Sequence, residues 1–178
     1  MFSLLSAKTS RVHLSLSRAS NLVSSALKMT GSSVAKGGSE KLIIGTHSGH
    51  FHCDETLACS MLKFLPQYKD AEIVRSRDYE VLDTCNIVVD VRGVYDHEKC
   101  RYDHHQKTFS HTFNSLDKFK KWTTKLSSAG LVYFHYGRHI IAQILGTKVD
   151  ETVTEKVFDK VYEGFIQEID AIDNGIHT

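Results

Sequence analysis

"KLIIGTHSGHFHCDETLACSMLKFLP", residues 41–66, carries two different periodicities in succession. Residues 41–47 form a short, β-branched apolar run ending in Gly and Thr, the pattern of a buried strand. Residues 54–65 place Leu57, Ala58, Met61, Leu62 and Leu65 at helical spacing, and Pro66, the only proline of the chain, stops the helix. A buried strand leading straight into an amphipathic helix is the opening of an α/β unit.

The segments that follow extend it. "AEIVRS" (71–76) reads as a second strand and "YEVLDTC" (79–85) as a short helix or turn. "NIVVDV" (86–91) is a third strand, apolar on both faces until Asp90. Strands without polar alternation are covered on both sides, so the expected class is α/β, a mainly parallel sheet flanked by helices. Residues 108–125 read as a polar, aromatic loop. A helix over 127–146 is capped by Ser127 or Ser128 and ended by Gly146. A last helix over 150–173 is expected to bury Val153, Val157, Val161, Phe165, Ile169 and Ile172 on one face.

Composition sets the bounds. The 178 residues are 41% apolar and 24% charged, as in a soluble globular protein with one ordinary domain. Residues 1–39 hold five basic residues (Lys8, Arg11, Arg18, Lys28, Lys36) and no acidic one, so the formal charge of +1 hides a mildly acidic body. A bulk basic footprint for nucleic acid is absent from that body. Cys53, Cys59, Cys85 and Cys100 form no C-x-x-C pair, which favours free thiols in a reducing compartment. No apolar run reaches the roughly 20 residues of a membrane span. The Ser-, Leu- and Ala-rich leader, 1–39, has the composition of a mitochondrial transit peptide, the alternative being a tail without an address. Initiation at Met29 would yield a second, non-mitochondrial pool. Residues 40–178 are the expected folded domain.

Polar clusters fall at the carboxyl ends of the expected strands, where open α/β sheets gather their ligands. The first strand ends in His47, His50, His52 and Asp54, and the third in Asp90. After a short loop comes "RYDHHQ" (101–106), with Asp103, His104 and His105. Alone, the DHH tripeptide is weak and Asp90 could be a turn former, whereas His47-x4-His52-x-Asp54 is moderately specific, since a strand-to-helix turn has little structural need of three such residues. A mixed set of imidazoles and carboxylates without thiols suits Mn²⁺, Fe or Mg²⁺, with Zn²⁺ less distinctive. The donors exceed what one ion takes, which points to two metals able to activate water and clamp a phosphoryl oxygen.

"GTHSGHFHCDETLA", "NIVVDVRG", "RYDHHQ", "KLSSAGLVY" and "EIDAIDNG" together resemble the melanocyte-proliferating-gene-one proteins, a branch of the DHH phosphoesterases, from about residue 41 onward. The resemblance implies a DHH phosphoesterase-like N-terminal domain and a two-metal hydrolase of Mn²⁺ type, with Mg²⁺ as the other ion. It implies a 3′→5′ RNA exonuclease of mitochondrial matrix and nucleus, with RNA or an oligonucleotide as partner. By position, His47 and His52 resemble ligands of one metal and Asp54 a ligand of the other, with Asp90 bridging them. His104 resembles a second-metal ligand, and Asp103 and His105 look like supporting or phosphate-facing groups that complete the catalytic trio. Asp173 resembles the last carboxylate, with Asp170 one turn earlier as its competitor. His50 either meets a phosphate or is exposed.

Three further readings stay open at the level of sequence. The N–H groups at Ser127 and Ser128 either hold a phosphate or are ordinarily capped. Trp122 is read as packing rather than as a base-stacking platform, and His97, His111, His135 and His139 as loop or helix-face residues. The family's proteins are about twice this length, so the chain is expected to lack their C-terminal substrate domain. The alternatives are therefore a DHH-type phosphatase or pyrophosphatase, an oligonucleotide-only hydrolase, or a non-catalytic metal- or nucleotide-binding fragment.

Overall fold

The structure is a computed structural model that describes residues 41–176, and the leader expected to be a transit peptide lies outside them. Strand β1 (Ile43–Thr46) is followed by α1 (Cys53–Lys63), β2 (Glu72–Arg75), α2 (Tyr79–Asp83) and β3 (Ile87–Val89). Two short strands then follow, β4 (Tyr95–Asp96) and β5 (Arg101–Tyr102), before α3 (Phe113–Leu116) and α4 (Ser128–Leu145). The chain ends with α5 (Thr152–Val161), a π-helical turn (Tyr162–Ile166) and α6 (Gln167–Asp173). The five strands form one sheet in the order β2-β1-β3-β5-β4, parallel throughout except for the antiparallel edge strand β4. This is the α/β architecture the apolar runs imply. Among the described residues no helix is long and apolar enough to cross a membrane.

The sheet is covered unequally. Ile44, Ile87 and Val89 face the main core, which they share with Ala58 and Leu62 of α1 and Leu131 and Val132 of α4. Val88 points the other way, onto Leu82 and Cys85 beneath α2. The period of two in a strand explains how a run such as Ile87-Val88-Val89 serves both faces. Gly45 admits α2 to the sheet, since a Cβ there would stand 2.8 Å from Cys85 Sγ. Helix α4 starts at the N-cap Ser127 and ends at Gly146, whose φ of +65° is the left-handed stop that glycine takes without strain.

Two expectations need correction. Residues 108–125 are not wholly loop: Thr112 caps the short α3, and Phe113 is fully buried against Trp122, Phe134 and Tyr162. The last helix also buries a different face. Thr154, Phe158, Tyr162, Ile166 and Asp170 are inside; of the expected face Val157, Val161 and Ile169 are half-buried against the core, whereas Val153, Phe165 and Ile172 are 45%, 50% and 69% exposed. The aromatic rings decide this, because Phe158 stacks on Tyr133 and Tyr162 packs at a tilt against Phe113, and they bury more apolar area than the valines would. The π turn, wider than an α turn, then rotates the residues that follow it.

The β4–β5 hairpin, invisible in the hydrophobic pattern, is held to α4 by a polar aromatic network. Tyr95 Oη lies 2.8 Å from His135 Nε2, and His97 Nδ1 lies 2.7 Å from Tyr102 Oη. Tyr102 Oη in turn lies 2.8 Å from Tyr136 Oη, and the His97 and His135 rings stack at 3.8 Å. Burial, with His97 adding to it, pushes the His135 pKa down to about 3. His135 is therefore neutral when folded and gains a proton near the ordinary 6.5 when unfolded. That stability is present above about pH 6.5 and is lost as pH falls toward 3. The denaturation free energy should drop between pH 7 and 5, with at most about 2 kcal/mol due to this one group. His135→Gln, which can keep the bond to Tyr95, should flatten the dependence; an unchanged slope would contradict the account.

Candidate metal centre

Five segments bring their polar ends to one place above the sheet. His47 follows β1, His52 caps α1, Asp54 and Glu55 lie in its first turn, and Asp90 follows β3. Residues 103–105 follow β5, and Asp173 closes α6. The loop between His47 and His52 is tethered by two arginines, Arg75 at the end of β2 and Arg77 just after it, Arg75 Nη2 donating to Gly49 O at 3.1 Å and Arg77 Nε to Ser48 O at 3.2 Å.

These side chains form overlapping groups. One ligand-capable atom from each of His47, His52, Glu55 and Asp90 lies within 4.8 Å of the others, and the same holds for Asp54, His104 and Asp173. A third group, Asp90, His104 and His105, overlaps both. Asp90 thus belongs to two of the three groups and adjoins the remaining one through His104. Its φ of +57° is uncommon outside glycine, and it turns the chain out of β3 while Asp90 N still donates to Tyr102 O. Ser128 Oγ, at the start of α4, donates to Asp90 Oδ1 at 3.1 Å and orients the carboxylate.

His47 lies with Nδ1 3.1 Å from Ser48 O, which assigns the proton to Nδ1 and leaves the Nε2 lone pair facing inward. That nitrogen is 3.4 Å from Asp90 Oδ2 and 3.3 Å from Glu55 Oε1. On the other side His104 Nε2 is 3.0 Å from Asp173 Oδ2, 3.5 Å from Asp90 Oδ1 and 3.8 Å from Asp54 Oδ2. The first of these distances is short, but its angles are not those of a hydrogen bond.

The electrostatics show what this cluster lacks. Asp54 is fully buried and its carboxyl is pushed up to about 8, by burial first and then by Asp90 and Asp173. Burial alone would lower the His104 pKa, yet Asp173, Asp90 and Asp54 raise it to about 10. Protons are thus drawn in to offset converging negative charge. Of the ten buried side-chain N and O atoms without a hydrogen-bond partner among the described residues, six lie here. They are His47 Nε2, both oxygens of Asp54, Asp90 Oδ2 and both ring nitrogens of His104. Buried groups are rarely left unpaired, and lone pairs converging without donors are what divalent cations satisfy. The donors fit such cations in number, burial and type.

Asp103 and His105 are tied to each other, although His105 Nδ1 also lies 3.5 Å from Asp90 Oδ1. The Asp103 carboxylate accepts from Gly93 N and from His105 N, and lies 2.7 Å from His105 Nδ1. It therefore fixes the turn and the ring rather than facing the cluster. His50 is exposed and lies in none of the groups. Asp170 is engaged elsewhere, accepting from Ser127 N at 2.9 Å, Ser127 Oγ at 2.8 Å and Tyr162 Oη at 3.0 Å. It fills the N-terminus of α4 that a phosphate would have needed, and a Cβ on Gly130 would overlap its carboxylate. Glu55 is the residue that sequence reading passes over. The signal was there: His52 with Glu55 three residues on is a capping box, and both Glu55 oxygens accept the His52 N–H.

Mn²⁺ should raise the melting temperature of the chain, by roughly 5–10 °C at a hundredfold excess over Kd, and EDTA should reverse the shift. Asp54→Asn should melt higher than the parent without metal, by relieving buried repulsion, and lose most of the response to Mn²⁺. A variant less stable without metal that keeps the full response would show that Asp54 is structural.

Comparison with known proteins matches residues 43–178 to the family model MYG1_exonuc, described as an uncharacterised protein family (UPF0160). The chain is 59% identical over 133 residues to the MYG1 exonuclease of Mus musculus and 57% identical over 133 residues to that of Homo sapiens. It is 50% identical over 133 residues to MYG1 protein YER156C of Saccharomyces cerevisiae. Each alignment covers 75% of this chain, but only 35% of the mouse and human proteins and 38% of the yeast one. The chain thus spans little more than a third of the length of these relatives. No solved structure gives a significant match. On the strength of the family match, which takes in every donor from His47 to Asp173, the chain belongs to the MYG1_exonuc family.

Proposed function

We propose that this chain carries the two-cation centre of a metal-dependent phosphodiesterase, a 3′→5′ RNA exonuclease. The observation that carries the reading is two adjacent, mostly buried donor groups, one with Asp90 and one with His104, linked because Asp90 and His104 also group together, with inward-facing donor atoms unmet. The name exonuclease borne by the mouse and human relatives supports the reaction class.

In this reading His47, His52 and Asp90, with Glu55 beside them, hold one cation, and Asp54, Asp90, His104 and Asp173 hold the other. Bound there, two divalent ions, Mn²⁺ or else Mg²⁺, would supply an activated water and offset phosphoryl charge. The remaining chemistry belongs to the chain. Asp103 holds Nδ1 of His105, so Nε2 of that half-exposed ring is free to hold a proton at the oxygen that leaves. Ser128 keeps Asp90 from rotating away from either centre. Glu55 sets the first turn of α1 and with it both His52 and Asp54. The leader composition supports a mitochondrial matrix location, with initiation at Met29 supplying a nuclear or cytosolic pool. Imaging chains begun at Met1 and at Met29 separates the two, and identical distributions would remove the second pool.

The purified chain, given Mn²⁺ and 5′-labelled RNA, should shorten it stepwise from the 3′ end and release mononucleotides. Asp90→Ala should lower the rate by at least about a hundredfold, because the shared ligand positions both charges. Hydrolysis of p-nitrophenyl phosphate without attack on RNA would replace the nuclease by a phosphatase. Cation binding with no hydrolysis of either would make the chain a binding module.

A further inference from the structure

Beside the donor cluster lies a cavity of about 480 Å³ with two chemically different walls. His47, His52, Asp90 and His105 form the inner wall. Arg77 and Arg92, from the loops after β2 and β3, and Tyr79, the first residue of α2, line the outer one. Nothing in the donor cluster requires this second wall.

Arg77 is exposed and spends only Nε on the protein, at Ser48 O, and no carboxylate of the described residues lies within 4.0 Å of it. The terminal nitrogens of its guanidinium remain as a planar fork, the geometry that grips a phosphate from two sides. Arg92 is occupied differently. It is paired with Asp83, and its guanidinium lies 4.6 Å from the centre of the Tyr79 ring. The arginine props one side of that ring while the residue stays 59% exposed. A phosphate-gripping fork next to a propped, open aromatic ring is the pairing that single-stranded nucleic-acid sites use, one for the backbone and one for a base.

We propose that Arg77 and Tyr79 form a subsite for the nucleotide next to the cleaved phosphate, Arg77 taking its phosphate and Tyr79 its base. The proposal rests on the reading above for where the cleaved phosphate sits. It narrows the substrate of that reading to a single strand of at least two units, gripped through its neighbouring phosphate and base, rather than a mononucleotide or a phosphomonoester. A mononucleotide places its only phosphate at the inner wall and leaves Arg77 unused. The competing account is that Arg77 merely ties down the loop at Ser48.

Fluorescein-labelled hexauridylate and unlabelled uridine monophosphate, with Ca²⁺ to prevent cleavage, separate these accounts in the full chain. Arg77→Gln and Tyr79→Leu, both at exposed positions, should each weaken the hexamer about tenfold by anisotropy. In Tyr79→Leu, which leaves the tether at Ser48 intact, competition by the mononucleotide and the Mn²⁺ melting shift should not move; in Arg77→Gln both should move less than hexamer binding, whereas loosening of the Ser48 loop alone would alter all three alike. Hexamer affinity equal in parent and variants, equal losses for hexamer and mononucleotide, or no hexamer binding by the parent would each overturn the subsite. Hydrolysis of bis(p-nitrophenyl) phosphate by the same proteins in Mn²⁺ tests the other reading. Hydrolysis with binding indifferent to Arg77 sinks the subsite alone, and Arg77-dependent binding without hydrolysis sinks the hydrolase alone.

Discussion

The carboxylates of Asp54, Asp90 and Asp173 converge on His104 in a space almost closed to water, and the surrounding structure is arranged around that convergence. Buried carboxylates without donors are among the most unfavourable groups a protein can hold. Two responses are open to such a cluster: to take up protons, as the raised values of Asp54 and His104 express, or to take up cations. Nearby polar groups show the contrast. Asp103 and Asp170 are equally buried, yet each has its full set of donors and serves as a scaffold. Partnership, rather than burial, separates the candidate ligands from the structural acids.

The fold meets the cost of this convergence by making each neighbouring element rigid. The strand ends that present His47 and Asp90 belong to the covered middle of a parallel sheet, where backbone positions are fixed on both sides. β5 delivers residues 103–105 from a two-residue strand, too short to hold itself. The tyrosine and histidine network against α4 supplies the anchorage. Helix α4 is used twice at its first turn, Ser128 steadying Asp90 while Ser127 receives Asp170. Asp170 and Asp173 lie nearly one turn apart on α6, so the contact that docks this helix also sets the last carboxylate of the cluster.

Much of this was legible in the sequence, for a physical reason. β1, α1 and β3 are written in unbroken apolar patterns because both faces of the sheet are buried, and their ends announced His47, His52, Asp54 and Asp90. The hairpin was not legible. Tyr95, His97 and Tyr102 are held by hydrogen bonds and ring stacking, which leave no hydrophobic period. The terminal helix misled for a related reason: an apolar periodicity cannot show Thr154 and Asp170, polar residues that are buried because they are satisfied. Glu55 was hidden by a double role, since a helix-capping acid in sequence looks like nothing more. Whether Asp170 or Asp173 faces the cluster could not be read from spacing. It depends on the rotation set by the π turn and on which acid finds the helix start of α4.

Two cations bridged by one carboxylate leave a magnetic signature that a single bound ion cannot produce. The most direct test of the central claim is electron paramagnetic resonance of the chain titrated with Mn²⁺, read alongside the number of ions retained. The account predicts two ions per chain and the multiline spectrum of an exchange-coupled pair, lost in Asp90→Ala. One ion per chain with the spectrum of isolated Mn²⁺, unchanged by that substitution, would contradict it.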